Sequence, residues 1–234
     1  ETISLGIGQG YNNFTMLQLA SATATLVAGG QRFKPRLVRE IEDVISRERT
    51  RVSNEALEPL PFKPEHVDLI SRALYGVTQE GTSTRVFVGA PYRSGGKTGT
   101  AQAVSIRQNE KYNAAKLEEH QRDHSLYIAV APVDKPTIAL AVVVENAGFG
   151  AEAAAPIARR VFDFLLLDQY PSEEDMAATR IGKSSTPIGK PRKASEMPLP
   201  GQPAGAAVAA APAALTAAPA QRLAAAESTP APAR

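Results

Sequence analysis

Apolar and polar positions alternate with different periods along the chain, and the changes of period mark its elements. From residue 15 the apolar side chains Leu17, Leu19, Ala20, Ala24 and Val27 follow a helical spacing. Thr15 stands where a helix N-cap is needed, and Gly29-Gly30 stands where the helix must stop. Residues 36–45 and 50–53 read as short strands. Pro64 suits the first turn of a second helix, with Val67, Ile70, Ala73 and Leu74 on one face, and Gly76 and Gly81 break that pattern. The period then shortens. Three strands are predicted over residues 94–105, 124–131 and 136–145, the last two with near-continuous apolar runs suited to strands covered on both faces. Pro132-Val133-Asp134-Lys135-Pro136 supplies a tight turn between them. A final helix over 152–168 carries Ile157, Val161, Phe164 and Leu165 at helical spacing. Helices, an antiparallel meander and a covering helix make an α+β class.

Two stretches fall outside this pattern. Residues 106–123 are polar and long for a hairpin loop, and such loops are often functional or mobile. After Pro171 the composition changes sharply, and from about residue 198 it is almost entirely Ala and Pro with a few Gly, Gln and Ser. The expected division is a packed region over 1–171 and a disordered Ala/Pro-rich tail over 172–234, with one short helical turn capped by Ser172.

Bulk composition narrows the function classes. The 26 Lys and Arg nearly balance the 24 Asp and Glu, so the net charge of +2 gives no basis for a nucleic-acid partner. There is no cysteine, which removes disulfides and thiolate metal sites. No two of His66, His120 and His124 stand at metal-ligand spacing, so neither a metal nor any cofactor is expected. His124, at the start of an apolar strand, reads as a structural histidine. The longest purely apolar run, Ile138 to Val144, is far short of the roughly 20 residues that span a bilayer. The chain opens on Glu1 inside what reads as the middle of a domain, so a fragment is expected and a missing anchor carries no information.

The candidate chemistry lies in Ser94-Gly95-Gly96-Lys97-Thr98-Gly99-Thr100-Ala101-Gln102. Glycine permits close backbone approach, and a lysine with two threonine hydroxyls can hold a carboxylate. On a regular edge strand Lys97 and Gly99 face one way and Thr98 and Thr100 the other. A twist or bulge near the glycines is one way to bring them together. Gly8-Gln9-Gly10 is a glycine-rich turn before a helix. It completes neither a Walker motif nor G-x-G-x-x-G, so it is read as structural.

In this context Lys97-Thr98-Gly99 resembles the third motif of penicillin-binding proteins and serine β-lactamases. The flanks extend the likeness. Glu1-Thr2-Ile3-Ser4-Leu5-Gly6-Ile7-Gly8-Gln9-Gly10-Tyr11, with Thr15-Met16-Leu17-Gln18-Leu19-Ala20, resembles the segment after the middle motif in class B penicillin-binding proteins. Gly76-Val77 with Gly81-Thr82 resembles the turn before the third-motif strand. Asn113-Ala114-Ala115-Lys116, Arg122-Asp123-His124, Ala131-Pro132 and Val144-Glu145-Asn146 continue the order. The likeness covers residues 1–168 and is strongest to the elongation-specific branch of that family.

The resemblance implies the C-terminal part of a transpeptidase domain that cross-links peptidoglycan stem peptides through a serine acyl-enzyme and binds β-lactam antibiotics. It implies other cell-elongation proteins as partners and a position at the periplasmic face of the bacterial inner membrane. Carried onto this chain, Lys97, Thr98 and Thr100 bind the donor carboxylate, the Thr100 N–H is an oxyanion donor, and Gly99 keeps the strand open. The serine itself is missing. Ser94 to Lys97 matches the letters S-x-x-K but lies in the approach to the third motif, and the place where the middle motif S-x-N should fall is before Glu1, so both missing motifs are expected upstream. Alternatives are a septal transpeptidase, a carboxypeptidase or a β-lactamase, or a non-catalytic cell-wall scaffold with a degenerate site.

Overall fold

The computed structural model describes residues 5–6, 8–104, 112–113, 116–182, 185–194 and 197. Parts of the opening segment, most of 105–115 and the Ala/Pro-rich residues from 198 lie outside them.

Helix α1 is Met16–Val27. Its start is a reciprocal cap: the Gln18 N–H donates to Thr15 Oγ1 at 3.2 Å, and the Thr15 N–H donates to Gln18 Oε1 at 2.8 Å. Its exit uses Gly30 at φ 95°, where a Cβ would stand 2.1 Å from the Leu60 carbonyl oxygen. Four short strands follow: β1 (Arg32–Phe33), β2 (Glu40–Glu42), β3 (Arg49–Arg51) and β4 (Ala56–Leu57). β2 and β3 overlap the strands expected over 36–45 and 50–53, the first much shorter than expected, and pair as an antiparallel hairpin. The pairing of β1 with β4 closes its base.

Helix α2 is Pro64–Gln79 and runs past Gly76, where the sequence pattern had ended it. Its last turn is anchored from outside the helix, because buried Thr78 donates its hydroxyl to the Ser94 carbonyl at 2.7 Å. Gly81 then turns the chain, at a place where a Cβ would sit 2.7 Å from Val77 Cα. A short helix α3 (Thr84–Phe87) leads into the sheet.

The sheet has the order β5-β6-β7, from Gly95–Ala101, His124–Ala131 and Ile138–Val144, all antiparallel. Helix α4 (Ala154–Leu167) covers the face bearing Tyr127, Ala129 and Ala131. Ala154, Ala155 and Ala158 let it lie close, and Phe87, Phe162 and Tyr127 fill the space, with Phe87 6.2 Å from Tyr127 and 6.4 Å from Phe162 between ring centroids. Val130, 1% exposed, points to the opposite face, and α1 lies against β6 and β7 there.

The packed structure does not stop at residue 171, as the composition had suggested. β8 (Gln169–Tyr170) pairs with β9 (Arg192–Lys193), and α5 (Glu173–Arg180) lies between them. Ser172 caps α5, accepting from the Asp175 N–H at 3.0 Å. Asp175 is 1% exposed and holds Arg160 of α4 in a two-point ion pair, Nε to Oδ2 at 3.0 Å and Nη2 to Oδ1 at 2.5 Å. Arg160 also donates to the carbonyls of Pro156 and Ser185. A segment that is polar in composition is thus anchored to the domain by the buried Asp175–Arg160 pair, which a reading of average polarity misses. Among the described residues no helix is long and apolar enough to cross a membrane.

Candidate active site on the free edge of β5

β5 is an edge strand, and its pairing with β6 is unbroken over seven residues, from Gly95 opposite Val130 to Ala101 opposite His124. No bulge interrupts it. The alternation therefore holds, with Lys97 and Gly99 on one face and Thr98 and Thr100 on the other. What brings them together is the edge.

In an antiparallel pair, each residue directs its N–H and C=O to the same side. Three carbonyls reveal which residues face outward. The Ser94 carbonyl accepts from Thr78, the Thr98 carbonyl from Lys97 Nζ at 2.8 Å, and the Thr100 carbonyl from Gln9 Nε2 at 3.3 Å. The even-numbered residues 94, 96, 98 and 100 thus present their backbone to the free edge, and the odd-numbered ones bond β6. The Arg93 carbonyl, which accepts from the Val133 N–H at 2.8 Å on the β6 side, fits the same phase. The exposed Lys97 side chain starts from the opposite face and curls around the strand to the same edge.

The glycines have separate uses. A Cβ on Gly95 would meet Leu74 of α2 at 3.0 Å, so this glycine seats the helix against the strand. A Cβ on Gly96 would lie 2.3 Å from the Tyr127 hydroxyl, which shares a 2.8 Å hydrogen bond with buried Ser83. Burial pushes the Tyr127 phenol up to about 12, against the lowering effect of Ser83, so a neutral hydroxyl lies under the strand. The Gly95-Gly96 pair therefore serves packing. The loop at Gly150 packs over Gly99, where a Cβ on Gly150 would come within 2.8 Å of the Gly99 oxygen.

Two residues join the edge that the sequence places in turns and not among the site residues. Thr82 shares a 3.1 Å hydrogen bond with the Thr98 hydroxyl. Gln9 reaches across from the Gly8-Gln9-Gly10 turn. That turn is formed as expected, with Gly8 at φ 78° and Gly10 at φ 69°, but it also delivers a side chain. The signal for Thr82 was its place in the Gly81-Thr82 turn before the strand. The signal for Gln9 was its place between two glycines.

Other candidates fall away. Ser94 is 2% exposed at the entry to β5, so its S-x-x-K match is not a nucleophile at a helix start. His124 Nδ1 accepts from the Asn146 N–H at 3.0 Å, a structural bond. Residues 106–111, Lys111 among them, and 114–115 of the polar stretch lie outside the described residues.

The architecture is an α+β domain whose sheet edge gathers an ammonium, hydroxyls and backbone carbonyls. Residues 1–163 match the penicillin binding protein transpeptidase domain, and the chain belongs to that family. It is 40% identical over 178 residues to the peptidoglycan D,D-transpeptidase MrdA of Haemophilus influenzae, a match covering 74% of this chain and 27% of that protein. Among solved structures it is similar to Pseudomonas aeruginosa PBP2 in complex with WCK 5153, at 32% identity and a TM-score of 0.55, covering 71% of this chain and 34% of that one. It is also similar to penicillin-binding protein A of M. tuberculosis in its ceftriaxone acyl-enzyme complex, at 25% identity and a TM-score of 0.56, covering 70% and 35%. The chain spans about a quarter of the length of the curated relatives it matches.

Proposed function

We propose that this chain is the C-terminal part of an elongation-type peptidoglycan D,D-transpeptidase and supplies the strand on which the donor stem peptide is held. The observation that carries this reading is the convergence of Lys97 Nζ, the Thr98 hydroxyl and the backbone of Thr98 and Thr100 on one free edge. A donor ending in D-Ala-D-Ala adds to β5 as an extra strand, through main-chain hydrogen bonds. Its terminal carboxylate meets the Lys97 ammonium and the Thr98 and Thr100 hydroxyls. For this, Lys97 has only to exchange the Thr98 carbonyl for the carboxylate.

The reacting serine comes from a segment upstream of Glu1. Its oxygen attacks the carbonyl of the penultimate D-Ala, and the developing oxyanion is met by the Thr100 N–H and the serine's own N–H. Each such donor contributes about 2.7–4 kcal/mol to transition-state stabilisation. The C–N bond breaks, D-Ala leaves as the protonated amine, and an amine of a second stem peptide takes the acyl group and frees the serine. A β-lactam places its carboxylate and strained amide on the same groups and leaves a stable acyl-enzyme. The family relationship supports other cell-elongation proteins as partners and the periplasmic face of the inner membrane as the working place. No cofactor enters the reaction.

The test is covalent labelling with a fluorescent penicillin. The full-length protein is expected to label, and this chain alone is not. A covalent adduct on this chain alone, or no adduct on the full-length protein, would contradict the reading.

A further inference from the structure

The Gly8-Gln9-Gly10 turn is built with more constraint than a simple connection needs. Both glycines hold positive φ, yet a Cβ on Gly8 would meet nothing within 4 Å. Gly8 is therefore required for its backbone conformation and not for space. The turn is also clamped. Asn12 Nδ2 donates to the Gln9 carbonyl at 3.2 Å and the Leu5 carbonyl at 3.3 Å, and the Gly8 N–H donates to Leu5 at 3.0 Å. This conformation sends the Gln9 side chain to the Thr100 carbonyl, 91 residues further along the chain.

Thr100 is where such a tie matters. It stands one residue from the end of β5, on an edge that has no neighbouring strand on its outer side among the described residues. Strand ends of this kind fray. The Thr100 N–H and C=O point to the same side, so fixing the carbonyl also fixes the direction of the N–H. A carbonyl has two lone pairs, so Gln9 and a donor peptide N–H can be accepted together.

We infer that Gln9 is a positioning residue for the acyl-transfer step: its side-chain amide holds Thr100 at the free edge so that the Thr100 N–H is aimed at the oxyanion. The inference rests on the transpeptidase reading. It deepens that reading by assigning a task to a residue outside the lysine motif.

The experiment is stopped-flow acylation of the full-length protein by a chromogenic cephalosporin, separating the apparent dissociation constant from the limiting acylation rate. Gln9→Ala is expected to lower the limiting rate roughly three- to tenfold, the effect of one neutral hydrogen bond lost in the transition state. The apparent dissociation constant is expected to change less than about twofold, because ground-state binding stays with Lys97 and the threonines. Gln9→Glu keeps the size and shape but puts a carboxylate where a donor is needed, so it should be as slow as Gln9→Ala. Asn12→Ala loosens the clamp and should give a smaller loss in the same direction.

An unchanged rate in Gln9→Ala would overturn the inference. So would a faster rate, which would make Gln9 a competitor for the edge. A normal rate in Gln9→Glu would also overturn it, by reducing Gln9 to packing. Wild-type protein that never acylates would instead overturn the functional reading beneath it.

Discussion

Lys97 and Arg160 are both cations with hydrogen bonds to backbone carbonyls, and they could hardly be used more differently. Arg160 is buried beside Asp175 and spends its donors on that carboxylate and on the Pro156 and Ser185 carbonyls. Lys97 is exposed, and among the described residues its ammonium donates one hydrogen bond, to the Thr98 carbonyl beside it. A buried charge that is fully matched fixes one arrangement of the chain. An exposed charge bonded only to a neutral carbonyl can exchange that partner for an anion. The C-terminal region is therefore read as structure and the β5 edge as function, although both are rich in charge and hydroxyl groups.

This contrast breaks first at Asp175. Asp175→Ala leaves the Arg160 charge buried without its partner, and is expected to cost about 3–5 kcal/mol of stability. Denaturant melts of the full-length protein would measure that loss, while the acylation rate of the folded fraction should hold. Lys97→Ala should do the reverse. The acylation rate is expected to fall about 100-fold, equivalent to roughly 2.7 kcal/mol by the usual conversion, with the melting temperature unchanged. A stability loss in Lys97→Ala comparable to that in Asp175→Ala would erase the distinction.

A third expectation concerns the floor of the edge. The unfolded tyrosine titrates near 10 and Tyr127 in the fold at about 12. The folded state therefore binds more protons between those values, and stability falls as pH rises through them. The full contribution is present below pH 10, and up to about 2–3 kcal/mol is lost towards pH 12. Tyr127→Phe should flatten that part of the stability–pH curve.

Much of the fold was legible because its signals are local. Thr15, Gly29-Gly30 and Pro64 mark helix ends whatever surrounds them, and the apolar runs at 124–131 and 138–144 mark strands by composition. The features missed depend on distant partners. α2 continues through Gly76 with its last turn tied by Thr78 to Ser94, and α5 packs because Asp175 meets Arg160. The site divides in the same way. The Lys97-Thr98-Gly99-Thr100 stretch was visible as a string, but Thr82 and Gln9 join it only through folding. The glycines of this stretch suggest close backbone approach in general, and at Gly95 and Gly96 the structure gives that room to Leu74 and Tyr127.

The sheet offers its own control for the central claim. β5 has one open edge and β7 has another, with no described strand beside either. Only the β5 edge carries Lys97, Thr98 and Thr100. Residue-resolved hydrogen exchange on the full-length protein, before and after acylation by a β-lactam, tests this directly. Exchange at the Thr100 N–H is expected to slow by about tenfold or more, while Lys97 and Gly99, already bonded to β6, and the outer amides of β7 stay as they were. Thr100 exchange that is unchanged by acylation, or protection that appears along β7 instead, would contradict the assignment of β5 as the substrate-binding edge.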